Sequence, residues 1–229
     1  MKITLSPRLR CVAGYVEPGA RVVDVGTDHA YIPLWLLQNR LCRHAWATDN
    51  KPGPLRNAAR DAEAAGLRDR LTLYLCDGLS ACAPEDIDTV IVAGMGGETM
   101  QGILAAAPWA LERRLILQPQ TKRALLRRWL GERGLGVADA SLVHDTGRIY
   151  LVWRVAPGAP ADAGPVDAPL LEKRDPLLKA FTQEQIKRRR TRLHGLERAR
   201  SADAGAIEAL RGELARLEEI YKEAASWQQ

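Results

Sequence analysis

Short apolar runs alternate with amphipathic stretches through the first two thirds of the chain. The runs begin at Arg21 and are "RVVDV", "HAWAT", "LTLYL", "TVIVA" and "RLILQ". Each carries few charges, which is typical of parallel strands that are buried on both faces of a sheet. The stretches between them, such as "GPLRNAARDAEAAG", have helical periodicity and end at a glycine suited to a helix C-terminus. This alternation predicts an α/β domain with a parallel, doubly wound sheet.

The last two apolar runs of this region predict a hairpin. "LGVADASLVH" and "GRIYLVWRV" are separated only by "DTG", which leaves no room for a crossover helix. The predicted sheet therefore has five parallel strands followed by two antiparallel ones. Dinucleotide-dependent oxidoreductases usually finish with a further parallel strand, so this ending argues against that class.

The chain changes character after about residue 156. "APGAPADAGPVDAP" is rich in Pro, Gly and Ala and predicts a linker, after which helical periodicity continues. Near the C-terminus, apolar residues recur at alternating steps of three and four, the spacing of a coiled-coil seam. They are Ile207, Leu210, Leu214, Leu217 and Tyr221. We therefore expect an α/β domain over 1–156, a linker over 157–169 and a coiled-coil helical hairpin over 170–229.

Composition and charge narrow the class of protein. The net charge of +5 and the pI near 9.2 favour a polyanionic partner. Because no apolar run approaches the roughly 20 residues of a membrane span, we expect no membrane partner. The four cysteines form no Cys-x-x-Cys pair, which favours reduced thiols and no metal site. We expect a cytoplasmic protein.

The basic run "KRRRTR" has two interpretations. Residues 183–200 carry seven basic and two acidic side chains, whereas residues 201–229 carry three basic and six acidic ones. Either the two helical arms attract each other across the seam, or the run turns outward to the phosphates of a nucleic acid. The residues concerned are Lys187, Arg188, Arg189 and Arg190.

Carboxylates end three successive predicted strands. They belong to Asp24, Asp49 and Asp77. The carboxyl ends of parallel strands meet at one edge of the sheet, where doubly wound folds bind their ligands. There Asp49 could accept from two ribose hydroxyls and Asp77 from an adenine amino group. Gly26 would let the backbone pass close to such a ligand.

The loop "VGTDHAYIP" after the first strand lacks the glycines of a phosphate-binding loop. It carries Asp28 and His29 instead. Asp28 would repel a pyrophosphate, whereas S-adenosylmethionine has no phosphate and carries a sulfonium and an ammonium group. The loop therefore favours S-adenosylmethionine as the cofactor. The alternative is that Asp28 only caps the following helix.

The segment "VAGMGGET" suggests the kind of atom that is modified. Its glycines 94, 96 and 97 predict an open surface for a planar base. Enzymes that methylate exocyclic amines place an Asn- or Asp-Pro-Pro-aromatic stretch here, and this chain has none. A ring nitrogen such as N1 of adenine needs no deprotonation, but the ring becomes cationic. Asp28 is thus the candidate catalytic residue, because its charge would stabilise that cation. His29 is either a helper or a packing residue.

Five segments together resemble one enzyme family. "LSPRL", "DVGTDHAYIP", "CDGL", "AGMGGETM" and "LILQPQ" are similar to the bacterial tRNA (adenine-22-N1)-methyltransferases. The resemblance implies a class I (Rossmann-like) methyltransferase fold, a mostly parallel seven-stranded sheet with a C-terminal antiparallel hairpin, plus the helical coiled-coil hairpin. It also implies S-adenosyl-L-methionine as cofactor, tRNA as partner and transfer of a methyl group to N1 of adenine 22.

The resemblance assigns roles by position. The residues that it implies for the cofactor are Arg8, Asp24, Gly26, Asp28, Asp49, Asn50, Asp77, Gly78, Ala93 and Gly94. Those implied for the substrate are Met95, Gly96, Gly97, Gln118, Pro119 and Gln120, together with the basic run at 187–190. The family usually has Asn where this chain has Gln120, so the contact of this residue with the target base stays open.

Other functions remain as alternatives. Since a fold does not fix its substrate, the acceptor could be another RNA base. A non-catalytic RNA-binding module would have no reason to keep three strand-end acids. A nicotinamide-dependent oxidoreductase is disfavoured by the missing phosphate loop and by the hairpin. We expect a monomer.

Overall fold

The computed structural model describes residues 1–159, 164–199 and 203–227. The chain divides into two compact units, Met1–Ala161 and Asp162–Gln229. This division falls inside the predicted linker 157–169, of which residues 160–163 lie outside the described residues. A short helix begins at Ala168, so the end of the predicted linker is helical. The finer domain bounds stay a prediction.

The first unit contains a seven-stranded sheet. Its strands are β1 (Val22–Val25), β2 (Ala45–Asp49), β3 (Leu71–Leu75), β4 (Thr89–Gly96), β5 (Arg114–Thr121), β6 (Leu135–Asp145) and β7 (Arg148–Pro157). The strand order is β3-β2-β1-β4-β5-β7-β6. The pairs among β1 to β5 are parallel, and β7 pairs antiparallel with both β5 and β6. The predicted five parallel strands and closing hairpin are confirmed.

As predicted, a helix connects successive parallel strands in most of the crossovers. In the first unit they are α1 (Pro7–Ala13), α2 (Tyr31–Gln38), α3 (Pro52–Ala64), α4 (Gly97–Ala106) and α5 (Arg123–Gly131), and in the second α6 (Ala168–Glu172), α7 (Leu178–Glu197) and α8 (Ala204–Ser226). Between β3 and β4 the chain forms only a 3₁₀ turn, Pro84–Asp86.

The central strands are buried because helices cover both faces of a parallel sheet. All four residues of β1 are buried, and Leu115, Ile116 and Leu117 of β5 are fully enclosed. Burying a side chain of this size contributes about 1.5–3 kcal/mol relative to exposure. The rigid sheet therefore fixes the positions of the residues at its carboxyl edge.

The second unit contains the predicted helical hairpin. Ion pairs join α7 and α8: Arg189 Nε lies 2.9 Å from Glu213 Oε2, Arg190 Nη2 lies 2.7 Å from Glu218 Oε1, and Arg211 Nη2 lies 2.7 Å from Glu197 Oε1. Glu197, near the end of α7, pairs with Arg211 early in α8, whereas Arg190 in the middle of α7 pairs with Glu218 later in α8, so the helices are antiparallel. The attraction between the arms is thus present. Exposed ion pairs contribute at most about 1 kcal/mol each, so apolar contacts stabilise this unit more.

Apolar residues of the predicted seam are buried in α8. They are Leu210, Leu214 and Leu217, while Ile207 and Tyr221 are half-buried. Coiled-coil packing of these residues stays a prediction. Across the described ranges of the chain, no helix combines the length and apolar character that a membrane span requires.

Candidate functional site

A cavity of about 430 Å³ opens at the carboxyl edge of the sheet. Its walls come from α1, the β1–α2 loop, α2 and the ends of β4 and β5. They are formed by Arg8, Leu9, Asp24, Gly26, Thr27, Asp28, His29, Tyr31, Ile32, Ala93, Gly94 and Gln120. A larger hollow of about 680 Å³ lies at the opposite edge, where Arg21 pairs with Asp88. The carboxyl-edge cavity is the candidate site because it holds the predicted strand-end acid and loop.

Asp24 supplies a buried carboxyl group to this cavity. It lies within β1 and its exposed fraction is 6%. Burial raises the pKa of Asp24 to about 7, although a hydrogen bond with the Thr27 side chain acts in the opposite direction. Because a buried carboxylate is poorly solvated, a cation that reaches it replaces lost hydration. Asp24 can therefore exchange a proton for a bound cation near neutral pH.

The loop after β1 is fixed by backbone hydrogen bonds. Gly26 N and Thr27 N both donate to the carbonyl oxygen of Thr48 in β2, at 2.8 and 3.1 Å. Ala30, with φ 51°, precedes α2, and its N–H donates to Thr27 Oγ1 at 2.9 Å. Asp28 therefore does not cap α2, and that alternative was wrong. Its side chain is 74% exposed instead.

His29 is held by a carboxylate that the sequence analysis missed. His29 Nδ1 lies 2.7 Å from Asp61 Oδ2 on α3, and His29 Nε2 lies 3.6 Å from Asp28 Oδ2. The His29 ring also stacks on Tyr31, with centroids 4.9 Å apart and an angle of 11°. Burial alone would raise the pKa of Asp61, but hydrogen bonds with His29 and Arg60 outweigh it and lower the pKa. His29 therefore lines the cavity as an oriented side chain.

Arg8 is positioned by contacts from three distant parts of the chain. Ser6 caps α1, and its hydroxyl donates to Asp145 Oδ2 at 2.7 Å, while Arg8 N donates to the same oxygen at 3.2 Å. Arg8 Nη1 donates to Gln118 Oε1 at 3.0 Å, and the guanidinium lies 5.4 Å from the centroid of the Tyr150 ring. The Ser6 hydrogen bond lowers the pKa of Asp145. The "LSPRL" segment thus places the positively charged Arg8 side chain at the cavity.

The end of β4 is less open than its glycines suggest. Gly94, with φ +81°, is exposed at a register shift between β4 and β5, and a Cβ there would lie 3.7 Å from Arg8 Nη1. A Cβ on Gly96 would lie 2.9 Å from Thr121 Oγ1, and one on Gly97 would lie 2.6 Å from the carbonyl oxygen of Lys122. Gly97 is also buried. The open surface predicted over the three glycines is therefore reduced to Gly94, and Gly97 serves close packing.

This packing gives a prediction for stability. Gly97→Ala should lower the free energy of unfolding by about 1–3 kcal/mol, because its Cβ would overlap backbone atoms that cannot move aside. Gly102→Ala in the same helix is the matched control. A Cβ there meets nothing within 4 Å, so better helix propensity should stabilise the protein by about 0.5–1 kcal/mol. Urea unfolding of both variants tests this, and equal stabilities would contradict the packing role.

Family comparisons agree with this geometry. Residues 5–153 match the model of a family described as "Methyltransferase domain". The tRNA (adenine(22)-N(1))-methyltransferase of Bacillus subtilis (strain 168) is 33% identical over 195 residues, which cover 80% of this chain and 82% of that protein. The chain belongs to the tRNA (adenine(22)-N1)-methyltransferase family.

Solved structures of similar proteins extend this family assignment to the fold. The B. subtilis M1A22 tRNA methyltransferase TrmK superposes with a TM-score of 0.83 at 26% identity, covering 96% of this chain and 100% of that one. Streptococcus pneumoniae Sp1610, solved in complex with S-adenosyl-L-methionine, has a TM-score of 0.75 at 29% identity and covers 95% and 100%. The predicted Rossmann-like methyltransferase fold is confirmed.

The methyltransferase brings only part of the predicted cofactor set to the cavity. Asp49 ends β2, where its Oδ1 accepts from Lys51 N at 2.8 Å, and Asp77 is exposed beyond β3. The carbonyl oxygen of Gly78 accepts from Thr48 Oγ1 at 2.7 Å. These residues and Asn50 lie at the same sheet edge but do not line the cavity. Their contact with the cofactor stays a prediction.

The predicted substrate residues are spread over two strands and a helix. Met95 packs towards Gly26, where a Cβ would lie 1.9 Å from Met95 Cε. Gln118 and Pro119 are buried in β5, and within the described part of the chain Gln118 Nε2 has no hydrogen-bond partner. Gln120 is exposed beside Gly94 and lines the cavity.

The basic run lies in the second unit of the methyltransferase. Arg188 pairs with Glu184 of its own helix, and Arg189 and Arg190 pair with α8, while Lys187 is exposed. Its contact with a substrate stays a prediction.

Two residues of the site had a sequence signal that was overlooked. Asp61 falls on the buried stripe of α3 beside Leu55 and Ala58, and an acid on an apolar stripe requires a partner. Tyr31 directly follows the "DHA" loop. Within the described ranges, no group of three or more His, Cys, Asp or Glu side chains could hold a metal ion.

Proposed function

We propose that this protein transfers a methyl group from S-adenosylmethionine to N1 of adenine 22 in tRNA. The observation that carries this proposal is the alignment with the B. subtilis tRNA (adenine(22)-N(1))-methyltransferase over about four fifths of both chains. The carboxyl-edge cavity supports it, because its charges suit the cofactor and Gly94 lines it without a side chain.

The donor set of the cavity fits S-adenosylmethionine. When bound, this cofactor supplies a methyl group on a positively charged sulfonium. Buried Asp24 provides negative charge for the cationic groups of the cofactor, and Arg8 provides positive charge for its carboxylate. Asp28 lines the same cavity, but its side chain is 74% exposed, so solvent screens its attraction for the bound cofactor. Asp49 and Asp77 would hold the ribose and adenine at the ends of β2 and β3.

The reaction at N1 needs positioning and charge stabilisation but no base to remove a proton. Gly94 leaves room for the ring, and the amides of Gln118 and Gln120 lie on the neighbouring strand as hydrogen-bonding groups. Asp28 would face the positive charge that develops on the adenine. His29 would hold Asp28 in that position.

The tRNA must present the Watson–Crick edge of the base. This requires local unpairing or flipping, which costs a few kcal/mol. Basic side chains at the surface would offset that cost by contacts with phosphates. Because the proposed substrate is tRNA, we expect the protein in the cytoplasm, and a monomer stays our expectation.

Methyl transfer to unmodified tRNA transcripts tests the proposal. A transcript with adenine at position 22 should yield 1-methyladenosine mapped to that position by nucleoside and fragment mass spectrometry. The matched control is the same transcript with guanine at position 22, which should yield none. A different methylated nucleoside would change the acceptor but keep the cofactor. Binding of tRNA without transfer would indicate an RNA-binding module.

The role of the basic run is tested by salt dependence. Removing charge at exposed Lys187 and Arg192 (Lys187→Gln with Arg192→Gln) should raise the KM for tRNA and reduce the slope of log KM against log salt by about 1–2. Arg189→Gln is the control, because Arg189 pairs with Glu213 and should mainly lower the stability of the hairpin. An unchanged slope in the double variant would assign the run to hairpin pairing.

A further inference from the structure

The inner face of α3 carries a carboxylate where an apolar residue is expected. Asp61 has an exposed fraction of 7% and lies among Leu55, Ala58 and Ala62. A buried carboxylate is costly unless its oxygens are hydrogen-bonded. Both Asp61 oxygens have partners: Oδ2 lies 2.7 Å from His29 Nδ1, and Oδ1 accepts from Arg60 Nε at 3.2 Å. α3 therefore holds a buried charge whose partner, the half-buried His29, is a residue of the candidate site.

This contact determines which nitrogen of His29 faces the cavity. An ionised carboxylate can only accept a hydrogen bond, so His29 Nδ1 must carry a proton. Nε2 is then the nitrogen on the side of Asp28, whose Oδ2 lies 3.6 Å away. Stacking on Tyr31 fixes the plane of the ring. The charged groups that face His29 are thus Asp28 on its own loop and Asp61 and Arg60 on α3, with Asp24 in the same cavity.

We propose that Asp61 is a positioning residue for methyl transfer, which acts through His29 to hold the Asp28 carboxylate at the cavity. The inference rests on the proposed function. The 2.7 Å contact between Nδ1 and Asp61 Oδ2 fixes both the rotation and the tautomer of the His29 ring, so that its other nitrogen stays beside Asp28. Without Asp61 the ring would be free to turn, and the exposed Asp28 side chain would lose its neighbour.

The first test measures His29 directly and needs no methyl transfer. In protein labelled with ¹⁵N-histidine, Nδ1 of His29 should carry a proton, and His29→Gln identifies the signal by removing it. Asp61→Asn should move the signal of the Nδ1–H proton upfield, because a neutral amide accepts a weaker hydrogen bond than a carboxylate does. Glu63→Gln is the matched control, because it removes an exposed carboxylate two residues along α3. An Nδ1–H signal that is the same in both variants would overturn the inference.

The second test measures catalysis. Asp61→Asn should lower kcat about tenfold, with the KM for S-adenosylmethionine changed less than about threefold, because it loosens a positioned group and removes no contact with the cofactor. In a His29→Gln background, Asp61→Asn should have no further effect on kcat, because it acts through His29. Additive losses would assign Asp61 to stability alone. If the wild type transfers no methyl group, the proposed function fails, whereas the His29 spectrum still decides whether Asp61 holds the His29 ring.

Discussion

Asp28→Asn is expected to lower kcat by about 10- to 100-fold while changing the Kd for S-adenosylmethionine less than about threefold. Removing one preorganised group that faces developing charge typically lowers kcat by about 100-fold or more. The Asp28 side chain is 74% exposed in the free protein, so solvent screening reduces that figure. The effect falls on kcat because positive charge appears on the adenine only as the methyl group moves. Single-turnover kinetics with tRNA and calorimetric titration of the cofactor measure the two quantities separately.

A matched carboxylate makes this experiment specific. Asp69→Asn removes the same charge from an exposed 3₁₀ turn, Arg68–Arg70, and should leave both quantities unchanged. A large rise in Kd for Asp28→Asn with unchanged kcat would instead assign Asp28 to cofactor binding.

Cofactor affinity should increase with pH up to about 7 because of Asp24. The pKa of Asp24 is raised to about 7 by burial, so at lower pH the carboxyl group is protonated and must lose its proton to hold a cation. The Kd for S-adenosylmethionine should therefore fall about tenfold per pH unit as the pH rises from about 5 towards 7, and level off above it. Titrations at pH 6 in buffers of different ionisation enthalpy should show about one proton released per cofactor bound.

Asp24→Asn is the control for this linkage, since its side chain has no proton to lose. At pH 8 this variant should bind S-adenosylmethionine with a higher Kd than the wild type does, and its Kd should not vary with pH. The raised pKa of Asp24 should also make the free energy of unfolding depend on pH. A carboxyl group whose pKa is raised above its value of 3.8 in the unfolded chain favours the folded state at low pH. Relative to Asp24→Asn, the wild type should lose stability as the pH rises from about 4 to 7. A wild-type Kd that does not vary with pH would show that Asp24 is already ionised.

The sequence predicted those features that depend on local patterns. The three-residue gap "DTG" predicted the hairpin, because no helix fits such a gap, and the acids after successive strands had to meet at one edge. By contrast, Arg8 reaches Gln118 across 110 residues of sequence, and His29 reaches Asp61 across 32. Such contacts depend on packing, which a periodic pattern does not contain.

Glycine shows the limit of residue type as a signal. Gly94 and Gly97 stand in one segment, yet the first borders the cavity and the second packs against the carbonyl oxygen of Lys122. Only the neighbours distinguish the two uses. The charge difference between the helical arms was likewise visible in the sequence, but the choice of Glu213 and Glu218 as partners was not.

The contact between Ser6 and Asp145 has a consequence for the order of events during synthesis. The two residues are separated by 139 positions, and Asp145 stands at the turn of the last hairpin of the sheet. A nascent chain that has emerged only through β5 already contains Asp24, Asp49, Asp77 and Gln118. It still lacks the Asp145 carboxylate, which accepts a hydrogen bond from the Ser6 hydroxyl, and the Tyr150 ring, against which the Arg8 guanidinium lies. Contacts of such long sequence separation form late in folding. On the ribosome, Arg8 therefore reaches its final position only after the β6–β7 hairpin has emerged and paired.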